Sequence, residues 1–308
     1  MWKYLGKRLG WTVVVIWGVM TLTFLIAFAV PGDPARLIAG PGASAATVAS
    51  IHRQLGLDQP IWTQYLEYCW RLLHGNFGIS FLRKVPVLPA ILQRAPVTAM
   101  VAIGGVIFEL LIGIPIGVLA ALRPGSVWDR VATIFALLGL SAPSFWLGLF
   151  LLYYLAFVNS WFPLGGVGNP LIYYLVLPCL TVGLNGAAWY SRMLRSTMLD
   201  ILRAPFMQMA RAKGVPGWLL LRRHVLPNVI IPIITMVGMD FGYFLGGVLI
   251  IEVVFGLPGI GQQAWQAIQV LDIPMIMGTV IFAAMAIVVM NVLVDLSYVL
   301  FDPRVRVG

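Results

Sequence analysis

The chain has 308 residues, of which 60% are hydrophobic and only 10% charged, and its mean hydropathy is +0.94. A water-soluble domain carries about a quarter charged residues, so this composition excludes an ordinary soluble globule and points to a lipid bilayer as the solvent. The formal net charge of +9 would suit a nucleic-acid binder, but no basic soluble module with stacking aromatics is present to serve one.

A spanning helix needs about 20 apolar residues, each adding about 1.5 Å against roughly 30 Å of hydrocarbon. The first such run is Trp11–Val30, behind Lys3, Lys7 and Arg8. Ala27-Phe28-Ala29 resembles a signal-peptide cleavage site. The apolar run is too long for that reading and Pro31 follows the would-be cut, so the run is taken as a retained span. The next stretch, 31–94, is different material, with Pro-Gly breaks and mixed charges (Asp33, Arg36, Arg53, Asp58, Glu67, Arg71, Arg83, Lys84). Short helices are expected over Ala43–Leu55 and Gln59–Leu73, the second amphipathic and aromatic-rich. The stretch reads as a small extramembrane insertion.

Further spans are expected at Val97–Leu122, Val131–Val158, Leu171–Tyr190, Val225–Ile251 and Met275–Leu300. No charged residue falls between Arg130 and Arg192. That is too long for one crossing, and the turn formers from Asn159 to Pro170 split it. The expected fold is an all-α membrane protein with about six transmembrane helices. In span three, Gly139-Leu140-Ser141-Ala142-Pro143 predicts a kink. In span five, Gly242 and Gly246 form a small-xxx-small pair suited to close helix contact.

Orientation follows from Lys and Arg in short loops. Basic residues stand at the N-terminus, at Arg123 and Arg130, throughout Arg192–Arg223, and at Arg304 and Arg306. The alternate loops, Asn159–Pro170 and Glu252–Pro274, carry none. Both termini are therefore expected in the cytoplasm, with the 31–94 insertion on the outer side. The positive charge is mainly topological.

The longest cytoplasmic stretch, Ser191–Asn228, places Met193, Leu194, Met198, Leu199 and Leu202 at near-helical spacing. Ala204-Pro205 breaks that helix. A short helix is expected over Phe206–Lys213, ended by Gly214 as a C′ glycine, and another amphipathic piece over Trp218–His224. Pro227 falls where a helix tolerates proline, near the start of span five. A short surface helix of this kind serves equally well to dock in a partner's groove or to anchor the chain to anionic lipid.

Cys69 and Cys179 lie in unlike surroundings and have no metal spacing, so they read as two unpaired cysteines. His52, His74 and His224 form no metal motif. No GxxxxGK[ST] is present, so the chain cannot cradle ATP phosphates, and Gly256–Gly261 is read as a turn in an outer re-entrant loop. Three carboxylates fall in or near spans. Such charges are expected to face protein or water. Glu109 and Asp240 are the deepest; each either lines a pathway or pairs with a partner's polar group. Asp295, near the cytoplasmic end, is expected to pair with a loop arginine. Ser141 is a further pathway candidate. As a protease nucleophile it would need a base beside it, and no histidine lies in a span.

The run Gln208-Met209-Ala210-Arg211-Ala212-Lys213-Gly214, followed by Leu226-Pro227, resembles the EAA loop of ABC importer permeases. Ala210, Gly214, Leu226 and Pro227 match its pattern, while Gln208, Met209 and His224 depart from it. Other blocks resemble the dipeptide and oligopeptide subfamily, in order along essentially the whole chain. They are Pro31-Gly32-Asp33-Pro34, Leu55–Pro60, Gly75–Ser80, Pro96-Val97-Thr98, Glu252–Phe255, Pro258–Gly261, Asn291–Asp295 and Asp302-Pro303-Arg304.

This resemblance implies a type I importer permease. Residues 1–30 would be a cytoplasmic tip and first span, 31–94 a periplasmic insertion, 95–301 the transporter domain with its coupling segment at 191–225, and 302–308 a cytoplasmic tail. Phe206, Gln208, Met209, Ala210, Arg211, Ala212, Lys213 and Gly214 would couple to an ATPase. The implied partners are a second homologous permease, two ATPase subunits that use ATP and Mg, a periplasmic binding protein and a peptide substrate, in a bacterial inner membrane. The chain itself would be no enzyme and would hold no cofactor or metal. Glutathione and nickel chelates fit the subfamily as substrates too. A stand-alone secondary transporter or channel is the alternative, but it has no need of the cytoplasmic helix-break-helix segment, and inverted repeats are not evident.

Overall fold

The computed structural model describes residues 2–29, 33–40, 42–54, 56–246 and 248–301. Apolar runs with no competing polar pattern close their backbone hydrogen bonds within helices, as hydrocarbon requires. The first is α1 (Trp2–Ala29). The insertion holds α2 (Pro34–Ala39), α3 (Ala45–Gln54) and α4 (Ile61–Leu73). Asp33 caps α2 through the backbone N–H of Ala35, and Pro34 opens it. Both helices expected within 31–94 are therefore present, each trimmed at its ends, and a third precedes them.

Helix α5 (Val87–Leu122) is longer than the expected span, beginning ten residues before Val97 and running through Pro96 and Pro115. Its first turns are held by tertiary burial: Val87 and Ile91 are fully buried against Ile260 and Met275. That packing outweighs the backbone hydrogen bond each proline removes. Then come α6 (Val127–Ser141) and α7 (Ser144–Leu151), the latter continued by a π-helical stretch, Leu152–Val158. The expected span Val131–Val158 is not one straight helix. The chain turns by 105° between the two pieces. Ala142 is extended ahead of Pro143, which caps α7.

Helix α8 (Leu171–Arg203) fuses the expected span four with the first part of the cytoplasmic stretch. It is followed by α9 (Pro205–Ala212), α10 (Gly217–Leu220) and a π-helical stretch, Leu221–Val225. Span five is α11 (Leu226–Leu245), shorter than expected, because the chain breaks at Gly246 before α12 (Leu249–Val254). Helix α13 (Ile260–Gln269) precedes the last span, α14 (Ile273–Phe301). Among the described residues the architecture is all helical, with one isolated antiparallel bridge between Ile79 and Pro86. Among the described residues five helices are long and apolar enough to cross a membrane, and the bent α6–α7 pair makes up to six.

The centre of the bundle is the α5–α8 pair, which makes its most extensive contact. Two glycines one turn apart allow it. A Cβ on Gly113 would stand 2.7 Å from Tyr190 Cβ, and one on Gly117 would stand 2.8 Å from the Ser191 carbonyl oxygen. Only glycine permits so close an approach. The Gly242–Gly246 pair serves α11 against α14 similarly: a Cβ at Gly246 would lie 3.2 Å from Ala283 Cβ. One apolar cluster fills the middle of the bundle (Val101, Val106, Leu177, Val182, Phe244). A second lies under α9 and a third at the opposite end, around Val87 and Met275.

Candidate functional site

The coupling segment is a short helix on a rigid platform. Pro205 opens α9 with its φ already helical and no N–H to satisfy. The far end closes as a full Schellman motif: Gly214 N–H donates to the Arg211 carbonyl at 2.9 Å and Val215 N–H to that of Ala210 at 3.2 Å. Gly214 has φ +75°, which a side chain disfavours, although a Cβ there would meet nothing within 4 Å. Beneath, Met207 is fully buried with Ala121, Leu194, Met198, Leu220 and Val225. Above, Phe206, Met209 and Trp218 are exposed, Trp218 by 64%. Gln208, Arg211, Ala212, Lys213 and Gly214 share that open surface, and Ala210 is half-buried. Phe206 lies beside the His224 ring, centroids 6.4 Å apart. The eight coupling candidates thus form one small element.

This element is tied to the bundle by the chain on both sides, since α10 and Leu221–Val225 carry it on to span five. Helix α8 leads directly into it across Ala204. Ten residues before Pro205, on α8, Arg195 makes a two-pronged bond to Asp129 at the start of α6, Nε–Oδ1 at 2.5 Å and Nη2–Oδ2 at 2.9 Å. Asp129 also accepts from Gly125 N–H at 2.8 Å. The sequence reading passed over this pair, although Ser126-x-x-Asp129 marks a helix start.

Glu109 and Asp240 come close in the bundle. Glu109 is buried inside this chain, 1% exposed, packed against Gly186 of α8, and its Oε2 has no hydrogen-bond partner. Asp240 is half-buried and accepts from the Tyr190 hydroxyl at 2.6 Å. Tyr190 lies within electrostatic reach of both carboxylates. It was not singled out from sequence; an aromatic within an apolar run gives no sign of a polar task. Ser141 is exposed and ends α6 at the bend. There the Asn185 amide donates to the carbonyls of Gly139 at 2.9 Å and Ala142 at 3.2 Å. The side chain of Asp295 lies outside the described residues.

At the opposite end, Glu252 organises the turn Gly256–Gly261. It is fully buried, accepts from Thr98 Oγ1 at 2.6 Å and from Gln262 N–H at 2.9 Å, while Thr98 in turn accepts from Ile260 N–H at 2.9 Å. Burial pushes this carboxyl up from its ordinary range, and the Thr98 hydroxyl and the backbone donors partly offset that. Cys69 and Cys179 are both free. Among the described residues no group of three His, Cys, Asp or Glu is placed to hold a metal ion.

Fold and site together define the membrane-embedded component of a transport system. The chain belongs to the family of binding-protein-dependent transport system inner membrane components, whose model matches residues 113–307, with the family's N-terminal region matching 1–102. It is 37% identical to a probable peptide ABC transporter permease, y4tP, of Sinorhizobium fredii, covering 99% of this chain and 100% of that one. It is 37% identical to the probable D,D-dipeptide permease DdpB of Escherichia coli K12 (100% and 98% covered). The dipeptide permease DppB of the same organism is 33% identical (99% of each). A chain of the MetNI methionine ABC transporter, solved facing inward, shares the fold with TM-score 0.51 at 18% identity, covering 71% of this chain and 96% of that one. The chain is thus an inner-membrane permease of the peptide-type ABC importer family. In this family ATP hydrolysis resides in separate subunits and the solute arrives on a binding protein.

Proposed function

We propose that this permease carries di- or oligopeptides inward, paired with a second, related permease and driven by two ATPase subunits, one of which seats on α9. The observation that carries this reading is the exposed Phe206–Met209–Trp218 surface above the buried Met207 platform. Three large apolar groups around one short capped helix suit a protein groove, and the platform passes their displacement to α8. ATP closure of the partner dimer then shifts α9 and tilts the spans between inward-open and outward-open states. Peptide uptake into proteoliposomes of the whole complex tests this. Gly214→Pro, or deletion of residues 206–213, abolishes ATP-driven uptake while membrane insertion persists. Continued uptake in either variant overturns the docking role.

The Glu109–Tyr190–Asp240 cluster supports a pathway role for Asp240, which remains half-open where Glu109 is closed off. It would meet the ammonium of a peptide. Asp240→Asn is expected to weaken uptake of peptides with a free amino terminus more than of acetylated ones, at unchanged complex yield. Equal effects on both sink that role. Competition by dipeptides, glutathione and nickel chelates in the same assay separates the substrate classes.

A further inference from the structure

Helix α4 is held against α1 by two hydroxyl pairs, Tyr65 Oη with Thr21 Oγ1 at 2.7 Å and Tyr68 Oη with Thr23 Oγ1 at 3.0 Å. The Phe24 ring packs on both tyrosines, centroids 5.3 and 5.6 Å away. Thr21 and Thr23 lie inside the apolar window Gly10–Ala27 of α1. Thr23 is six residues, or about 9 Å, short of the C-terminal end of α1. Helix α4 is therefore fastened beside the last third of a span, not above it in water.

At about 100° per residue, α4 divides into three arcs. Tyr65, Tyr68 and Leu72 form the half-buried arc toward α1. Next to it, Trp62, Leu66, Trp70 and Leu73 form an apolar arc, each between 65% and 76% exposed. The third arc is polar: Gln64, Glu67 and Arg71, with Thr63 at the edge of the apolar arc beside Trp70. Leu22, Leu25 and Ile26 of α1, in the same turns as Thr21 and Thr23, are also open, 50% to 62% exposed. Trp70 adds an indole tilted against the His74 ring, centroids 4.3 Å apart, an amphipathic pair suited to headgroup depth.

We infer that α4 is an interfacial helix, lying in the outer leaflet with Trp62, Leu66, Trp70 and Leu73 in the acyl region and Gln64, Glu67 and Arg71 in water. Its occupant is lipid, because the two hydroxyl pairs hold the arc at the depth of the apolar window of α1 and because the polar arc is turned away. The insertion is thereby pinned to the membrane plane, which fixes the height at which α2 and α3 stand.

Spin labels placed singly along α4, in the complete complex in proteoliposomes, test this. The background carries Cys69→Ser and Cys179→Ala. At Leu66→Cys and Trp70→Cys, collisions with oxygen exceed those with a water-soluble nickel chelate; at Glu67→Cys and Arg71→Cys the order reverses. The ratio oscillates with the helical period of about 3.6 residues. Low collision rates with both reagents at Leu66 and Trp70 would mean that a second permease covers the arc, and would overturn the inference. So would nickel access there that falls only when the binding protein is added. Label-free quenching gives a second route in the cysteine-intact protein. Lipids brominated near the headgroup end quench Trp62 and Trp70, so the double variant Trp62→Phe, Trp70→Phe loses part of the quenched fluorescence. An unchanged quenched fraction also refutes the placement.

Discussion

Gly214 shows what one residue can carry. A Cβ there has open space around it, so its requirement is conformational, set by φ +75° and by the two bonds that close α9. Gly214→Ala is expected to cost about 1 kcal/mol locally and to lower uptake per ATP hydrolysed, whereas Gly214→Asn, which tolerates the left-handed region, retains more of it. Equal loss in the two variants would argue against a backbone cause. Glu252 is the opposite case, a side chain whose task is invisible in sequence. A carboxylate in an outer-loop block reads as solvated, yet it is fully buried and accepts from Thr98 and Gln262. Glu252→Leu leaves the Thr98 hydroxyl and the Gln262 N–H unpaired, at about 1–3 kcal/mol each. Amide exchange over residues 256–272 should then rise while exchange in α8 stays unchanged. No change at 256–272 would refute this anchoring role.

At the scale of elements, most spans were legible because hydrophobic length is a strong signal. The misreadings concern where helices stop. Prolines at 96, 115, 178 and 232 all sit inside helices, while Pro143 marks a 105° turn. The difference is not in the proline. It lies on α8, where Asn185 satisfies the two carbonyls that the break at Gly139–Ala142 exposes. Sequence spacing cannot show that an amide more than forty residues away closes a helix end. Likewise Gly113 and Gly117 carry the α5–α8 contact in a plain small-xxx-small spacing, but in an apolar run rich in glycine the pair does not announce its partner. Asn185→Ala is expected to destabilise the bend by about 1–3 kcal/mol and to raise accessibility of Ser141→Cys to a thiol reagent. Unaltered labelling would mean the break holds without it.

Across the whole molecule, two of the links between the spans and the segment that would meet the ATPase differ in kind. One is covalent and stiff: α9 follows α8 across a single extended residue, Ala204, and α8 is locked to α5 by glycine-mediated contact. The other is electrostatic: Arg195 on α8 grips Asp129 at the start of α6, whose other end is the bend beside Ser141. Displacement of α9 therefore reaches α5 through packing, and α6 through the close approach of Gly139 to Ala188, the Asn185 amide and the Arg195–Asp129 ion pair. The pair is the weaker of the two, since Arg195 is partly open to solvent and screening limits its strength. Asp129→Asn and Arg195→Gln should each leave the complex assembled and its ATPase active, but lower the ratio of peptide imported to ATP hydrolysed. The double variant should lose little more than either single one, because both remove the same link. Additive losses would show that the two side chains act separately, and a ratio unchanged in all three variants would place the transmission of force to α6 elsewhere.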